Sequence, residues 1–317
     1  MISLLNLEPN GFSSHANKIL KSFSVIKKGP LSRKKLIGEL ENYDALIVRL
    51  SHEIDKQIID AGRNLKVISS ATTGLDHIDL KYAHDKNIKV LSLQGEYKFL
   101  NEVHATAEHT WALILALTRK ICSSYESVKN NQWDRDNYKG TELKNSTLGI
   151  VGFGRIGKKI SNYAIAFGMN VVVFNDKKIA SNNKIIQERS LSRLLKKSDV
   201  LSIHVPLSDT TRNMFSMPQF KMMKKNSIII NTSRGEIINE IDLINAIKNK
   251  IIHGAALDVI HNESKFMSNI NSEIIDFAKT NDRLVITPHI GGATYESMEK
   301  TEIFMANKLL EYFKKFN

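Results

Sequence analysis

Leu148-Gly149-Ile150-Val151-Gly152-Phe153-Gly154-Arg155-Ile156-Gly157 is an apolar run that breaks into G-x-G-x-x-G. A helical pattern follows it. A second apolar run, Val171-Val172-Val173-Phe174, then ends just before Asp176. An acidic residue about 20 residues beyond the glycines completes a dinucleotide-binding layout. Gly152 allows the tight turn out of the strand. Gly154 lets backbone approach a pyrophosphate, and Gly157 lets the helix pack closely on the strand. The helix start offers unpaired N–H groups and a positive dipole end to phosphates. A carboxylate at Asp176 accepts hydrogen bonds from the ribose hydroxyls of NAD and repels the 2′-phosphate of NADP. Lys177 and Lys178 follow directly and soften that preference.

Outward from this stretch, the chain is long enough for two domains. It has 317 residues, of which 42% are hydrophobic and 25% charged. Met1-Ile2-Ser3-Leu4-Leu5 lacks a basic leader segment and reads as a first strand, not as a signal peptide. The most apolar helical stretch, Trp111 to Leu117, is too short to span a bilayer. Cys122 is the one cysteine, so an internal disulfide is excluded, and a reducing cytoplasm is expected. No Cys/His cluster has metal-ligand spacing, so no metal is expected. The net charge is +12, but the lysines are scattered among Asn and Ile. No basic helix with interleaved aromatics marks a nucleic-acid surface. A positive field still suits an anionic substrate and cofactor.

Short apolar runs alternate with helical patterns throughout. In the first third, strands are expected at Ile2–Leu5, Ala45–Val48, Val67–Ser70 and Ile88–Leu91. Helices fill the gaps, around Ser14–Lys21, Ser32–Glu39, Asp55–Ala61 and Asp79–Asp85. One long helix is expected from about Asn101 to Lys129, its apolar face lying in a core or on another subunit. Strands of a second series are expected at Val200–Val205, Ile228–Asn231, Gly254–Val259 and Leu284–Thr287, before a final helix Tyr295–Phe316. Two βαβ series with buried apolar strands imply an α/β protein of two doubly wound parallel-sheet domains. Ligands of such sheets lie beyond the carboxyl ends of the strands, so the chemistry belongs in post-strand loops, within a cleft between the domains.

Three such loops carry ionisable residues: Thr232-Ser233-Arg234-Gly235, His261-Asn262-Glu263 and Pro288-His289-Ile290-Gly291-Gly292. Oxidation of a hydroxy acid by a nicotinamide needs all three residue types. A histidine takes the hydroxyl proton near neutral pH. A carboxylate on its other ring nitrogen fixes the tautomer. An arginine clamps the substrate carboxylate and polarises the carbonyl.

Over nearly its whole length the chain resembles the D-isomer-specific 2-hydroxyacid dehydrogenases. That family includes D-3-phosphoglycerate dehydrogenase, glyoxylate/hydroxypyruvate reductase and D-lactate dehydrogenase. The matching segments are Gly149–Gly157, His204-Val205-Pro206-Leu207 with Thr211, Asn231–Gly235, Ala255–Val259 and Thr287–Thr294. Ala107-Glu108-His109-Thr110 resembles the segment leading into the family's dimerisation helix.

The resemblance implies a flavodoxin-like substrate domain, residues 1–100 and 291–317, with an inserted Rossmann NAD-binding domain, 101–290, that includes the dimerisation helix. It implies an NAD-dependent homodimer acting on a small anionic 2-hydroxy or 2-keto acid. Arg234, Glu263 and His289 would be catalytic. Gly152, Gly154, Arg155, Ile156, Gly157, Asp176, His204, Val205, Pro206, Thr211, Thr232, Ser233, Asp258, His289 and Gly291 would line the cofactor site, with Asp258 facing the carboxamide. Thr73 and Gly74 would hold the substrate carboxylate with Arg234, and Arg49 matches a position that reaches the substrate cleft. Phosphoglycerate or hydroxypyruvate and glyoxylate rank ahead of D-lactate as substrates. His104, Glu108 and His109 are expected in interface or helix-packing roles, and Asp76 and His77 as caps of the next helix.

Ser264 stands where the family commonly has proline, and Ile260 replaces an aromatic. Both weaken the Glu263 assignment. Glutamate there argues against formate dehydrogenase. No regulatory domain is expected after Asn317. The rival function is an NAD(H)-sensing binding protein resembling the C-terminal-binding corepressors, and a turnover assay separates the two.

Overall fold

The computed structural model describes residues 1–180, 184–263 and 272–315. The chain forms two compact units, Met1–Val103 with Ala293 onward, and His104–Gly292.

The first unit holds β1 (Ile2–Asn6), β2 (Ser24–Lys28), β3 (Ala45–Ile47), β4 (Val67–Ser69) and β5 (Lys89–Leu91). All pair in parallel, in the order β2-β1-β3-β4-β5. This is the flavodoxin-like order. The helices are α1 (Ser14–Lys21), α2 (Arg33–Glu39), α3 (Lys56–Ala61), α4 (Leu80–Asp85), α5 (Tyr97–Leu100) and, from the end of the chain, α13 (Tyr295–Lys314). Side chains alternate across the sheet with period two. Leu4, Ala45, Ile47 and Val67 face α1 and Ala306, Leu309 and Phe313 of α13. Leu5, Leu46 and Ile68 face Leu36, Ile58 and Ile59 on the other side. Short polar residues start the helices: Ser13, Asp55 and Asp79 each accept a backbone N–H of the first turn, from Ala16, Ile58 and Tyr82. Asp79 is therefore the cap of α4, not Asp76 or His77. His77 instead approaches Ser70 Oγ at 3.4 Å.

The second unit holds β6 (Thr147–Val151), β7 (Asn170–Phe174), β8 (Ile185–Gln187), β9 (Val200–Ile203), β10 (Ile228–Asn231), β11 (Gly254–Leu257) and β12 (Leu284–Ile286). They form one parallel sheet, ordered β12-β11-β10-β9-β6-β7-β8. Helices α6 (Ala105–Thr118) and α8 (Arg155–Ala166) pack with Leu148, Ile150, Val171 and Ile230 on one face. On the other face Leu201, Ile229 and Leu257 pack with residues of α9 (Leu191–Lys197), α10 (Met217–Phe220), α11 (Glu240–Lys248) and α12 (Glu273–Thr280).

Two expectations are corrected. The helix expected from Asn101 to Lys129 is two helices, α6 and α7 (Ile121–Lys129), and starts only at Ala105. Lys120 adopts φ +52° between α6 and α7. Thr118 O accepts the N–H of Thr141 at 2.9 Å, as α6 ends. Strands β2 and β8 extend the two sheets beyond the strands expected from sequence.

No described helix is long and apolar enough to cross a membrane. No described cluster of His, Cys, Asp and Glu could hold a metal ion.

Candidate active site

β6 delivers the chain into Gly152 at φ +91°, a left-handed turn that side chains rarely adopt. Gly154, two residues later, is the N-cap of α8, with no side chain closing the cap and no acidic residue in the first turn. A Cβ built on Gly154 would meet nothing within 4 Å, so the turn is open on that side. That cradle fits a pyrophosphate. Phe153 N–H is held by Asn175 Oδ1 at 2.9 Å, which fixes the turn against the end of β7. Asp176 follows Asn175 and is exposed.

The loop after β9 carries His204, Val205 and Pro206. Burial pushes the His204 ring down to about 3, so it is neutral at working pH, and its Nε2 pairs with Ser202 Oγ at 2.8 Å. Thr211 Oγ1 donates to Pro206 O at 2.7 Å and closes this loop.

Arg234 follows β10, Glu263 follows β11 and His289 follows β12, three consecutive neighbours in the sheet. Buried Asn231 organises the first loop. Its Oδ1 accepts Ser233 N–H and Oγ–H at 3.0 and 2.7 Å, and its Nδ2 donates to Arg234 O at 2.8 Å. Arg234 is half-buried, and its Nη1 donates to Ser233 O at 2.7 Å. Gly235 lies against the backbone of Ile260 and His261, where a Cβ would collide. This close approach draws the Arg234 loop onto the loop that carries Glu263. His261 itself is structural, with Nε2 2.9 Å from Ile238 O and its N–H on Glu240 Oε1.

Glu263 Oε1 is hydrogen-bonded to His289 Nδ1. With that nitrogen engaged, Nε2 is the ring atom left to exchange a proton. Both side chains keep partial exposure, 33% and 24%. His289 sits at φ +53°, a backbone state uncommon outside glycine and found at functional sites. Ser264 lies outside the described residues.

Asp258 holds His289 in that state. Its Oδ1 accepts Thr287 Oγ1 at 2.6 Å and Ile290 N–H at 2.9 Å, and its Oδ2 accepts Gly291 N–H at 2.7 Å. Asp258 O accepts His289 N–H at 2.9 Å. His109 of α6 completes the set, with Nε2 3.1 Å from Asp258 Oδ1 and 2.9 Å from Thr287 Oγ1. Burial works to raise the Asp258 carboxyl, but the bonds from His109, Thr287, Ile290 and Gly291 outweigh it and hold it below the usual carboxylate range. Thr232 is tied to the same helix through Thr110 Oγ1 at 2.8 Å. His109 is thus a polar partner of the His289 loop, a role the helix pattern did not indicate. His104 lies 3.1 Å from Lys159 Nζ, and Glu108 is exposed.

In the other unit, Thr73 and Gly74 follow β4, with Gly74 O accepting Thr72 Oγ1 at 2.8 Å. Arg49 follows β3 and is paired with Glu8 and Glu302.

Residues 111–291 match the model of the D-isomer specific 2-hydroxyacid dehydrogenase NAD binding domain. The chain belongs to that family. A hydroxypyruvate reductase of Thermotoga maritima is 34% identical over 89% of this chain and 88% of its own. A D-3-phosphoglycerate dehydrogenase of Methanocaldococcus jannaschii is 32% identical over 98% of this chain, which spans 57% of that longer protein. The crystal structure of a D-lactate dehydrogenase from Aquifex aeolicus, complexed with NAD and lactic acid, superimposes with a TM-score of 0.86 at 28% identity, over 99% of this chain and 96% of its own. As a member of the family, this 2-hydroxyacid dehydrogenase is an NAD-dependent oxidoreductase, and its seven-stranded unit is the NAD-binding domain.

Proposed function

We propose that the chain interconverts a D-2-hydroxy acid and its 2-keto acid, with hydroxypyruvate, glyoxylate or phosphohydroxypyruvate as the keto acid, through Arg234, Glu263 and His289. The observation that carries this is the Glu263–His289 hydrogen bond, on strand ends adjoining the Arg234 loop.

NAD(H), when bound, supplies or accepts the hydride at the substrate's second carbon. Gly152, Gly154, Arg155, Ile156 and Gly157 would hold its pyrophosphate, and Asp176 its ribose. Arg234 would bind the substrate carboxylate and the reacting oxygen, with Thr73 and Gly74 on the carboxylate. His289 Nε2 would give a proton to the carbonyl oxygen in reduction and take it from the hydroxyl in oxidation. Glu263 stabilises the imidazolium and keeps Nε2 aimed at substrate. Two chains would pair through helices α6 and α7. Ile121, Tyr125 and Val128 recur along one side of α7 and are 51–63% exposed.

The test is NADH oxidation by the purified protein against glyoxylate, hydroxypyruvate, phosphohydroxypyruvate, pyruvate and longer 2-keto acids, repeated with NADPH. Turnover with NADH exceeding that with NADPH supports the proposal and names the substrate. Silence across the panel from protein that binds NADH would favour a binding function.

A further inference from the structure

Edge strand β8 brings one side chain against the loop that carries Asp176. Gln187 is its last residue and pairs in register with Val173 of β7. Period two puts Gln187 on the same face of the sheet as Ile185, which is buried in the cluster that includes residues of α6 and α8. The Gln187 carboxamide spans the loop after β7. Its Nε2 donates to Asn175 O at 3.1 Å and to Lys177 O at 3.0 Å, and its Oε1 accepts Ile179 N–H at 3.0 Å.

Asn175 adds a second tie. Its Nδ2 donates to Lys177 O at 2.9 Å, while its Oδ1 accepts the Phe153 N–H of the glycine turn at 2.9 Å. The turn after β6 and the loop after β7 are therefore one hydrogen-bonded unit. Asp176 is exposed on that unit, between residues whose carbonyls are held. The partners also select the residue type at 187. Two carbonyls need donors and one N–H needs an acceptor, all within reach of one planar group. A carboxamide supplies both, whereas a carboxylate only accepts and an ammonium only donates.

We infer that Gln187 is a positioning residue for cofactor choice: it holds the Asp176 loop in one conformation and so sharpens the preference for NADH over NADPH. The inference rests on the function proposed above, in which Asp176 binds the cofactor's ribose. A loop that must be ordered on binding weakens that binding, and a carboxylate already in place avoids the loss. The same held carboxylate cannot swing away from a 2′-phosphate, so its repulsion of NADPH is kept in full. Lys177 and Lys178 adjoin it and are exposed. In a loose loop either ammonium could turn toward that phosphate, so the tie also keeps the lysines from reversing the preference.

Four variants of the full-length protein decide this: Gln187→Met, Gln187→Glu, Asp176→Ser, and Asp176→Ser combined with Gln187→Met. Gln187→Met keeps length and volume and loses the hydrogen bonds. Gln187→Glu keeps the acceptor for Ile179 N–H and turns a second acceptor toward the two carbonyls, so it serves if the first variant does not fold. Two readouts are taken without substrate: Kd for NADH and for NADPH by fluorescence titration, and the melting temperature. The wild type should bind NADH more tightly than NADPH. Each Gln187 variant should lower the ratio of the NADPH Kd to the NADH Kd about fivefold, and Asp176→Ser about tenfold. In the Asp176→Ser background, Gln187→Met should change the ratio less than about twofold, because the group it positions is gone.

If Gln187 only fastens β8 to β7, its variants melt lower and move both Kd values by the same factor. The ratio then stays that of the wild type, and the inference falls. A fivefold change that persists in the Asp176→Ser background also overturns it, since Gln187 would then act without Asp176. If Asp176→Ser alone leaves the ratio unchanged, the reading of Asp176 as the ribose ligand has failed, and the inference falls with it.

Discussion

Asp258 in the seven-stranded unit and Glu8 in the five-stranded unit are both poorly exposed carboxylates beyond strand ends, and both gather backbone N–H groups from a neighbouring loop. In each, burial acts to raise the carboxyl and the hydrogen bonds overcome it, leaving both below the ordinary carboxylate range. The loops they fasten differ. Asp258 ties down a loop whose side chain, His289, points its chemistry elsewhere, toward Glu263. Glu8 fastens a loop whose own cation, Arg49, is consumed by Glu8 itself and by Glu302. The same local device thus fastens the loop of the proposed acid–base in one unit and a loop with a fully paired arginine in the other.

The largest effect should come from breaking the first anchor. Asp258→Asn puts an amide NH₂ against N–H donors on one side of the carboxyl, and the loop shifts. A displacement of about 1 Å at reacting groups lowers turnover on the order of a hundredfold, so kcat should fall by about that much. Glu8→Gln should lower kcat for hydroxypyruvate less than about tenfold, because the loop it holds carries no proton-transfer group. Steady-state kinetics of the two variants side by side checks the contrast, and equal losses would erase it. Next in size is His109→Leu, which removes one charge-assisted hydrogen bond worth about 1.5–3 kcal/mol from the Asp258 cluster. It should lower kcat about tenfold with little change in KM, whereas a purely structural role would show as lower melting temperature with normal kcat.

The pH dependence of stability tests what the two carboxylates share. A carboxyl lowered in the folded state contributes stability that is fully present above its unfolded value and lost as pH falls through the folded value. The stability advantage of wild type over Asp258→Asn should therefore be constant near neutrality and shrink only below pH 3.8, the ordinary aspartate value, as should that over Glu8→Gln below pH 4.5. Chemical denaturation at a series of pH values measures both. The smallest effect belongs to an exposed carboxylate that anchors nothing. Asp176→Ser should leave stability within about 0.5 kcal/mol and move the NADH/NADPH ratio of kcat/KM about tenfold toward NADPH.

Most of the strands and the three loops that carry Arg234, Glu263 and His289 were legible because local chemistry fixes them. The glycine turn, the apolar strands and the short polar caps act within a few residues. Edge strands β2 and β8 were not legible. Ser24-Val-Ile-Lys-Lys28 is mostly polar, and Ile185-Ile-Gln187 is too short to show a period. The break at Lys120 was hidden too, since the apolar face continues and no glycine or proline marks it. The roles of His109 and Glu8 are tertiary. His109 meets Asp258 and Thr287 across 149 and 178 residues, and Glu8 meets Arg49 across 41. No window of sequence contains both partners.

The most direct test is a single turnover. Enzyme loaded with NADH is mixed rapidly with hydroxypyruvate, and the loss of NADH absorbance is followed for wild type and His289→Asn. If His289 donates the proton, the variant still binds NADH and its hydride transfer is slower by about 10²–10⁴-fold. Equal rates in the two proteins would contradict the account.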